Sequence, residues 1–410
     1  MFTLGQIALL ILILLVIYDY ILLFRKKAAV SCYRECSDRF SNGDPNEIRL
    51  HLESTYSFPI FLKIIDEVPV IFQLRDILFQ LKMESRSKKV VVYTLRPVRR
   101  GVYKFGLSNI FVSSRLGLIS RRFKTGQPSI VKVYPSYMYL QQYELMAISD
   151  KLTAPGLKQV RKIGQQLEPD QIRDYVKDDD YRTINWKATA RRSKLMVNVF
   201  REERAQDVYC IIDKGRIMQS AFEKMTLLDY SINASLALAY VAGLKGDKAG
   251  LVTFEKQVDT LVPASRKSGR MQVLSEVLYN QTTTFAESDF SALYQAVNTG
   301  VKSRGLLLIF TNFDTIAAMK RQLRFLSILA KRHTVVVIFF ENTELKEMIE
   351  MKPENKEETY RKVIAEKMIY EKGLIVNELR RYNIISILTS PNNLTARVIN
   401  KYLEIKARGF

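Results

Sequence analysis

Two adjacent carboxylates, Asp179 and Asp180, sit just before Arg182 and Trp186, the only tryptophan, in the densest charge pattern of the chain. Paired carboxylates can split their pKa values and share the work of acid and base. They are also the ordinary stuff of salt-bridge networks, and the sequence carries no nucleophile–His pair and no phosphate-binding loop. The protein is therefore read as a non-enzyme, with catalysis by Asp179 and Asp180 kept as an alternative. Asp178 to Asp180 suit a turn, and the Thr183 hydroxyl is placed to cap a helix in which Trp186 lies one turn from Ala190. Arg173, Arg182 and Arg191 are expected to meet the Asp cluster around Trp186.

Other reactive side chains are sparse. Cys32 and Cys36 would share one face of a helix and could form a redox pair, but two ordinary thiols are the better reading. With only one more cysteine, Cys210, and two distant histidines, His51 and His333, neither a disulfide framework nor an ordinary zinc site is expected. No cofactor is expected.

The amino-terminal run decides where these residues work. Leu4 to Phe24 is 21 residues long with only Gln6 and Asp19 strongly polar, enough for one helix across a hydrocarbon core of roughly 30 Å. Arg25, Lys26 and Lys27 follow it, which argues for an uncleaved anchor with its carboxyl side in the cytoplasm. Asp19 is expected at the interface or paired with Arg25, the sharper alternative being a polar contact with another membrane helix. The net charge of +21 fits an anionic membrane surface or nucleic acid. Arg96, Arg99, Arg100, Lys104, Arg115, Arg121, Arg122 and Lys124 form a basic stretch close to this anchor, so membrane lipid is the expected partner and nucleic acid is not.

The rest of the chain has two rhythms. From about Ser31 to Pro135, period-2 alternation such as Ile48, Leu50 and Leu52, punctuated by Gly and Pro, argues a small antiparallel β-sandwich. Asn42-Gly43-Asp44-Pro45 and Arg100-Gly101 read there as turn chemistry. After Asp207, continuous apolar runs at 207–213, 248–254, 305–311, 333–340 and 384–389 alternate with helical stretches. They predict an α/β fold with a doubly wound parallel sheet. The charged helix over 354–381 is expected to stand outside it. The organisation is then an anchor with its basic flank over 1–27, a sandwich over 28–136, a linker helix and charged segment over 137–206, and the α/β domain over 207–410.

The charged segment resembles the signature of the bacterial domain of unknown function 58 family. Arg173, Asp174, Tyr175, Asp179, Asp180, Arg182, Ile184, Trp186, Lys187, Ala190, Arg191, Leu195, Glu203 and Asp213 carry the resemblance. Looser matches extend along the chain: Arg100-Gly101, Tyr103, Phe105-Gly106 and Gly117-Leu118. Members usually have two amino-terminal hydrophobic helices, where one is evident here. The resemblance implies a membrane-associated protein ending in a von Willebrand factor type A-like domain, often encoded beside a MoxR-type AAA+ ATPase and working with it in assembly or metal insertion. No reaction is implied.

Type A domains often hold Mg²⁺ through Asp-x-Ser-x-Ser, a later Thr and a later Asp. The corresponding crevice here is Asp213, Lys214, Gly215, Arg216, then Ser288 and Asn312, with Asp314 just beyond. Both motif hydroxyls are gone, and each added cation opposes a dication by several kcal/mol, roughly, at 4 Å and an effective dielectric near 20. Metal is not expected, and Asp213 is expected to be neutralised by Arg216 or a signature Arg. The crevice lies where open α/β sheets place ligands, so it is read as a dock for a partner's acidic side chain. The expected function is a membrane-anchored interaction or assembly factor in the bacterial inner membrane. Its soluble parts face the cytoplasm, and a cytoplasmic protein such as a MoxR-type ATPase is the partner. A metal-dependent adhesion-type domain is the second alternative.

Overall fold

A computed structural model describes residues 2–27, 29–72, 78–137, 171–176, 179, 181–199, 205–223, 225–350, 353 and 355–408. The chain forms two compact units, one comprising residues 1–139, 219–236 and 271–282, the other 140–218, 237–270 and 283–410.

The first unit begins with α1 (Phe2–Phe24). Its side chains are exposed from Leu4 to Tyr18, whereas Asp19 and Leu23 are fully buried. Leu23 packs with Leu50, Leu52, Tyr56 and Ile60 in the unit's larger core. The strands that follow are β1 (Val30–Cys36), β2 (Arg39–Ser41), β3 (Asn46–Ser54), β4 (Ile60–Asp66) and β5 (Leu78–Met83), then β6 (Lys88–Leu95), β7 (Gly101–Phe105), β8 (Ser108–Ser113), β9 (Ser120–Thr125) and β10 (Ser129–Tyr134). Strict alternation in β3 and β4 turns one face to a core and the other outward. They assemble as β1-β3-β6, β2-β10-β7 and β5-β4-β8-β9. The antiparallel expectation holds for most pairs, but β2 runs parallel to β10, with Phe40 opposite Val133.

Cys32 and Cys36 lie on β1, not on a helix. Four residues apart on a strand is roughly 13 Å, too far for a redox pair, and burial pushes the Cys32 thiol up to about 11. The Asp66 carboxylate ends β4 in a buried network. Arg34 donates to both its oxygens, Nε at 3.0 Å, while Tyr93 donates to Oδ2 and Ser108 Oγ to Oδ1 at 2.7 Å. Arg100 is no solvated turn residue either. Its side chain is 8% exposed and pairs with Asp229 at 2.7 Å, and it donates to the carbonyls of Leu278, Tyr279 and Gln281.

In the second unit a short pair, β11 (Gln171–Asp174) and β12 (Met196–Val199), brackets α2 (Trp186–Arg192). The large sheet comes from β13 (Asp207–Asp213), β16 (Lys248–Phe254), β17 (Val258–Ser265), β18 (Gly305–Phe310), β19 (Thr334–Phe340) and β20 (Ile385–Thr389). A small hairpin of β14 (Ala221–Phe222) and β15 (Met225–Thr226) belongs to the first unit. The sheet order is β17-β16-β13-β18-β19-β20. All five expected strands are present, parallel to one another, and β13, β18 and β19 are buried almost end to end. The sheet is nevertheless mixed, because β17 pairs antiparallel with β16 at one edge. Pro263, which cannot donate to a ladder, suits an edge.

The helices that follow are α3 (Leu227–Leu244), α4 (Arg270–Tyr279), α5 (Phe290–Gly300), α6 (Ile316–Arg332), α7 (Thr343–Glu350), α8 (Lys356–Arg381) and α9 (Leu394–Arg408). Helix α3 is as long and apolar as a membrane span, but 72% of that stretch is buried, so it is a core helix. Helix α8 departs from expectation in its last turns, where Ile375 and Leu379 pack into the same core as Ile309, Val337 and Phe339.

Candidate functional site

The carboxyl ends of β13 and β18 bring together the side chains that could do chemistry. Asp213, the last residue of β13, is 5% exposed. Its Oδ1 accepts the Gly215 N–H at 2.8 Å and the Ser288 hydroxyl, and its Oδ2 accepts the Thr311 hydroxyl at 2.6 Å. Burial pushes the Asp213 pKa above the usual carboxylate range, while these three donors and their dipoles pull the other way. The expected neutralisation by an arginine is not what the structure provides. The partners are two hydroxyls and one backbone amide, because a site this enclosed admits short neutral donors and leaves the Arg216 side chain exposed at the rim.

Gly215 is required by proximity. A Cβ there would overlap the Ser288 hydroxyl and approach Asp213 Oδ1 to 3.0 Å and the Ala286 carbonyl to 3.3 Å. Lys214 is buried and committed, its ammonium 2.6 Å from Asp259 on β17. Its carbonyl accepts from Thr283. Glu255 organises the adjacent loop by accepting N–H groups of Thr284 (3.1 Å) and Ala286 (2.8 Å). Burial would raise its pKa, but the Ala286 and Thr284 donors outweigh this and hold it below its usual value.

Asn312 follows β18 but turns to another partner. Its Oδ1 accepts from the Lys372 ammonium at 2.8 Å, which also donates to the Phe313 carbonyl at 2.5 Å and lies 5.7 Å from the Phe339 ring centre. Burial pulls Lys372 down to about 8, against the attraction of Asp314. Thus Ser288 joins Asp213 as the type A resemblance implied, whereas Asn312 is occupied by a cation. Among the described residues no group of three or more His, Cys, Asp or Glu side chains could hold a metal ion. The oxygens converging at Asp213 are one carboxylate and two hydroxyls already bonded to it.

Sequence reasoning missed Thr311, Glu255, Asp259 and Lys372. Thr311 alone carried a signal: a polar residue ending the run Gly305 to Thr311, at the ligand-bearing end of a parallel strand. Lys372 carried none, lying in a charged helix.

The charged signature is a separate cluster. Arg173 and Asp179 form a two-pronged ion pair at 2.5 and 2.7 Å, and the Val176 N–H also donates to Asp179. That pairing holds the Asp179 pKa below its usual range. Asp174 is exposed on β11, and the half-buried Tyr175 donates its N–H to the Leu195 carbonyl at 2.8 Å. Trp186 is 70% exposed, and Lys187 and Arg191 are exposed with it on α2. Asn185, not Thr183, caps that helix by accepting the Ala188 N–H at 2.9 Å. Asp180 and the Arg182 side chain lie outside the described residues; of the expected meetings between signature arginines and the Asp cluster, the described residues show that of Arg173 with Asp179.

These features define a mixed α/β protein with an amino-terminal apolar helix, several β-sheets and a six-stranded mixed sheet. Residues 171–359 match the model of a family described as "Protein of unknown function DUF58". The chain is similar to uncharacterized protein YeaD of Bacillus subtilis, with 24% identity over 226 residues, which is 52% of this chain and 53% of that protein. It is also similar to an uncharacterized protein of Mycobacterium tuberculosis, with 23% identity over 177 residues, 43% of this chain and 55% of the other. The chain thus spans about half the length of the curated relatives it matches. Among solved structures, proximal thread matrix protein 1 of the mussel byssus aligns with a TM-score of 0.29 and 12% identity, covering 48% of this chain and 46% of that one. A CARDB domain from Pyrococcus furiosus aligns with a TM-score of 0.20 and 11% identity, covering 26% and 94%.

Proposed function

We propose that the protein is a membrane-anchored interaction or assembly factor without catalytic activity of its own. In this reading α1 spans the bacterial inner membrane once, and both units face the cytoplasm. The observation that carries it is the contrast along α1. Every side chain from Leu4 to Tyr18 is exposed, as a lipid-facing helix requires, whereas Asp19 and Leu23 are buried in the first unit. Arg25, Lys26 and Lys27 at its carboxyl end favour the cytoplasmic side.

The docking half of the proposal places a partner at the carboxyl ends of β13 and β18, in a von Willebrand factor type A-like domain that works without a divalent ion. Support comes from the parallel run of the large sheet, from Arg216 exposed at the rim, and from Lys372 occupying Asn312. Arg216 suits an acidic side chain of the partner. The family resemblance makes a MoxR-type AAA+ ATPase of the same cell the partner to test. The detergent-solubilised chain is expected to co-elute with that ATPase on size exclusion, and Arg216→Ala is expected to weaken the complex. Separate elution in every nucleotide state would refute the partnership.

A further inference from the structure

The buried Asp19 carboxylate is not explained by anchoring alone. Its Oδ2 accepts the backbone N–H of Ile119 at 2.9 Å. The partner is a backbone amide of the first unit and not the Arg25 side chain, which was one of the two expectations from sequence; the other, a place at the membrane interface, stands. Ile119 belongs to the loop joining β8 to β9, so that loop is pinned to α1 at the level of residue 19.

That level can be placed by arithmetic. Residues 4–18 alone would cover about 22 Å at 1.5 Å per residue, short of the roughly 30 Å a bilayer core needs. Residues 4–24 reach about 31 Å. A helix that spans must therefore use its last turns, and Asp19 lies five residues, about 7 Å, inside the carboxyl end of the span. The β8–β9 loop is carried to the same depth, within the roughly 5–10 Å that an interfacial element reaches past the boundary between headgroups and acyl chains.

The loop is made for such a place. The Ser114 hydroxyl accepts the Leu116 N–H at 3.0 Å and Gly117 takes a positive φ of 67°, which fixes a turn. At its tip Leu116 and Leu118 are 45% and 43% exposed. The flanks are basic: Arg115 before the tip, Arg121, Arg122 and Lys124 after it. The Arg121 guanidinium caps the end of α1 through the carbonyls of Leu23 (2.6 Å), Lys26 (2.7 Å) and Lys27 (3.1 Å). It also lies 4.7 Å from the Phe24 ring centre. An apolar tip within a basic collar is the pattern of an element that sits in an anionic lipid interface.

We infer that the β8–β9 loop is a second membrane-binding element, inserting Leu116 and Leu118 among the acyl chains of the anionic inner leaflet beside α1. This rests on the anchor reading above. It gives the buried carboxylate a job: Asp19 satisfies a backbone amide that would otherwise be unpaired at membrane depth, and so sets how far the loop enters.

The test uses the full chain with Trp186→Phe as background, carrying Leu116→Trp or Leu118→Trp, reconstituted into vesicles of zwitterionic and anionic phospholipid. Both tryptophans are expected to emit at shorter wavelength than in water and to lose emission when the acyl chains are brominated. If the chain floats with the vesicles but neither tryptophan is quenched, the loop does not insert and the inference falls while the anchor stands. A blue shift without quenching gives the leucines a protein occupant and equally overturns it. A chain that fails to float with vesicles removes the anchor reading, and this inference with it.

Discussion

Asp66 and Asp213 are both buried carboxylates at the carboxyl end of a β-strand, yet they are satisfied by opposite means. Asp66 faces a full positive charge, Arg34, with Tyr93 and Ser108 filling its remaining lone pairs. Asp213 faces two hydroxyls and one amide, and its nearest sequence cation, Lys214, is spent on Asp259. The first is a closed structural ion pair. The second keeps a carboxylate at the carboxyl end of a parallel strand with no cation bonded to it among the described residues, at the cost of a raised proton affinity. A buried acid thus reveals more by its partners than by its depth.

The sharpest way to break that contrast is to remove Asp66. Asp66→Ala leaves the Arg34 guanidinium buried and uncompensated, and should cost about 3–5 kcal/mol. The check is urea denaturation of the detergent-solubilised chain; a loss under about 1 kcal/mol would show that Asp66 is not a closed ion pair. Next comes Gly215→Ala, whose Cβ would overlap the Ser288 hydroxyl. It should cost about 1–3 kcal/mol by overpacking, and restoring space with Ser288→Gly should recover part of the loss.

Asp213→Asn is a milder probe, because an amide can still accept from one hydroxyl while the other hydroxyl turns to receive its N–H. Its cost at neutral pH should stay within the roughly 0.5–1.5 kcal/mol of one net hydrogen bond. The sign of its pH dependence is fixed by the raised pKa of Asp213. The folded chain holds that proton more tightly than the unfolded chain, so the contribution of Asp213 to stability is greatest at acid pH and declines as pH climbs past the usual carboxylate range. Stability measured from acid to neutral pH should therefore drift in favour of the Asn variant; a drift toward wild type would mean a cation near Asp213. The smallest effect belongs to Arg173→Ala, whose exposed pair with Asp179 should leave the thermal midpoint essentially unchanged.

Much of this arrangement was legible in the chain. The runs at 207–213, 305–311 and 333–340 are largely apolar because both faces of those strands are covered, and strands stand there at Asp207–Asp213, Gly305–Phe310 and Thr334–Phe340. Alternation in β3 and β4 marked the first unit equally well. What was hidden depended on partners far apart in sequence. Thr311 reaches Asp213 across 98 residues, and Ile119 reaches Asp19 across 100. Nothing local encodes such a pairing. Composition also misled at Arg100, which looks like a turn residue beside Gly101 but spends its charge on Asp229, and at β17, where Pro263 and Asp259 masked an edge strand. The Cys32–Cys36 spacing depended on the element that holds it, since four residues are neighbours on a helix and distant on a strand.

The claim on which the rest stands is that α1 holds the protein in a bilayer. Extraction of membranes with alkaline carbonate tests it most directly, because charge-mediated attachment is released and a spanning helix is not. The full chain is predicted to stay in the membrane pellet, and a chain in which Leu10, Ile13 and Ile17 are replaced by Asp is predicted to leave it. Recovery of the unaltered chain in the soluble fraction would contradict the account.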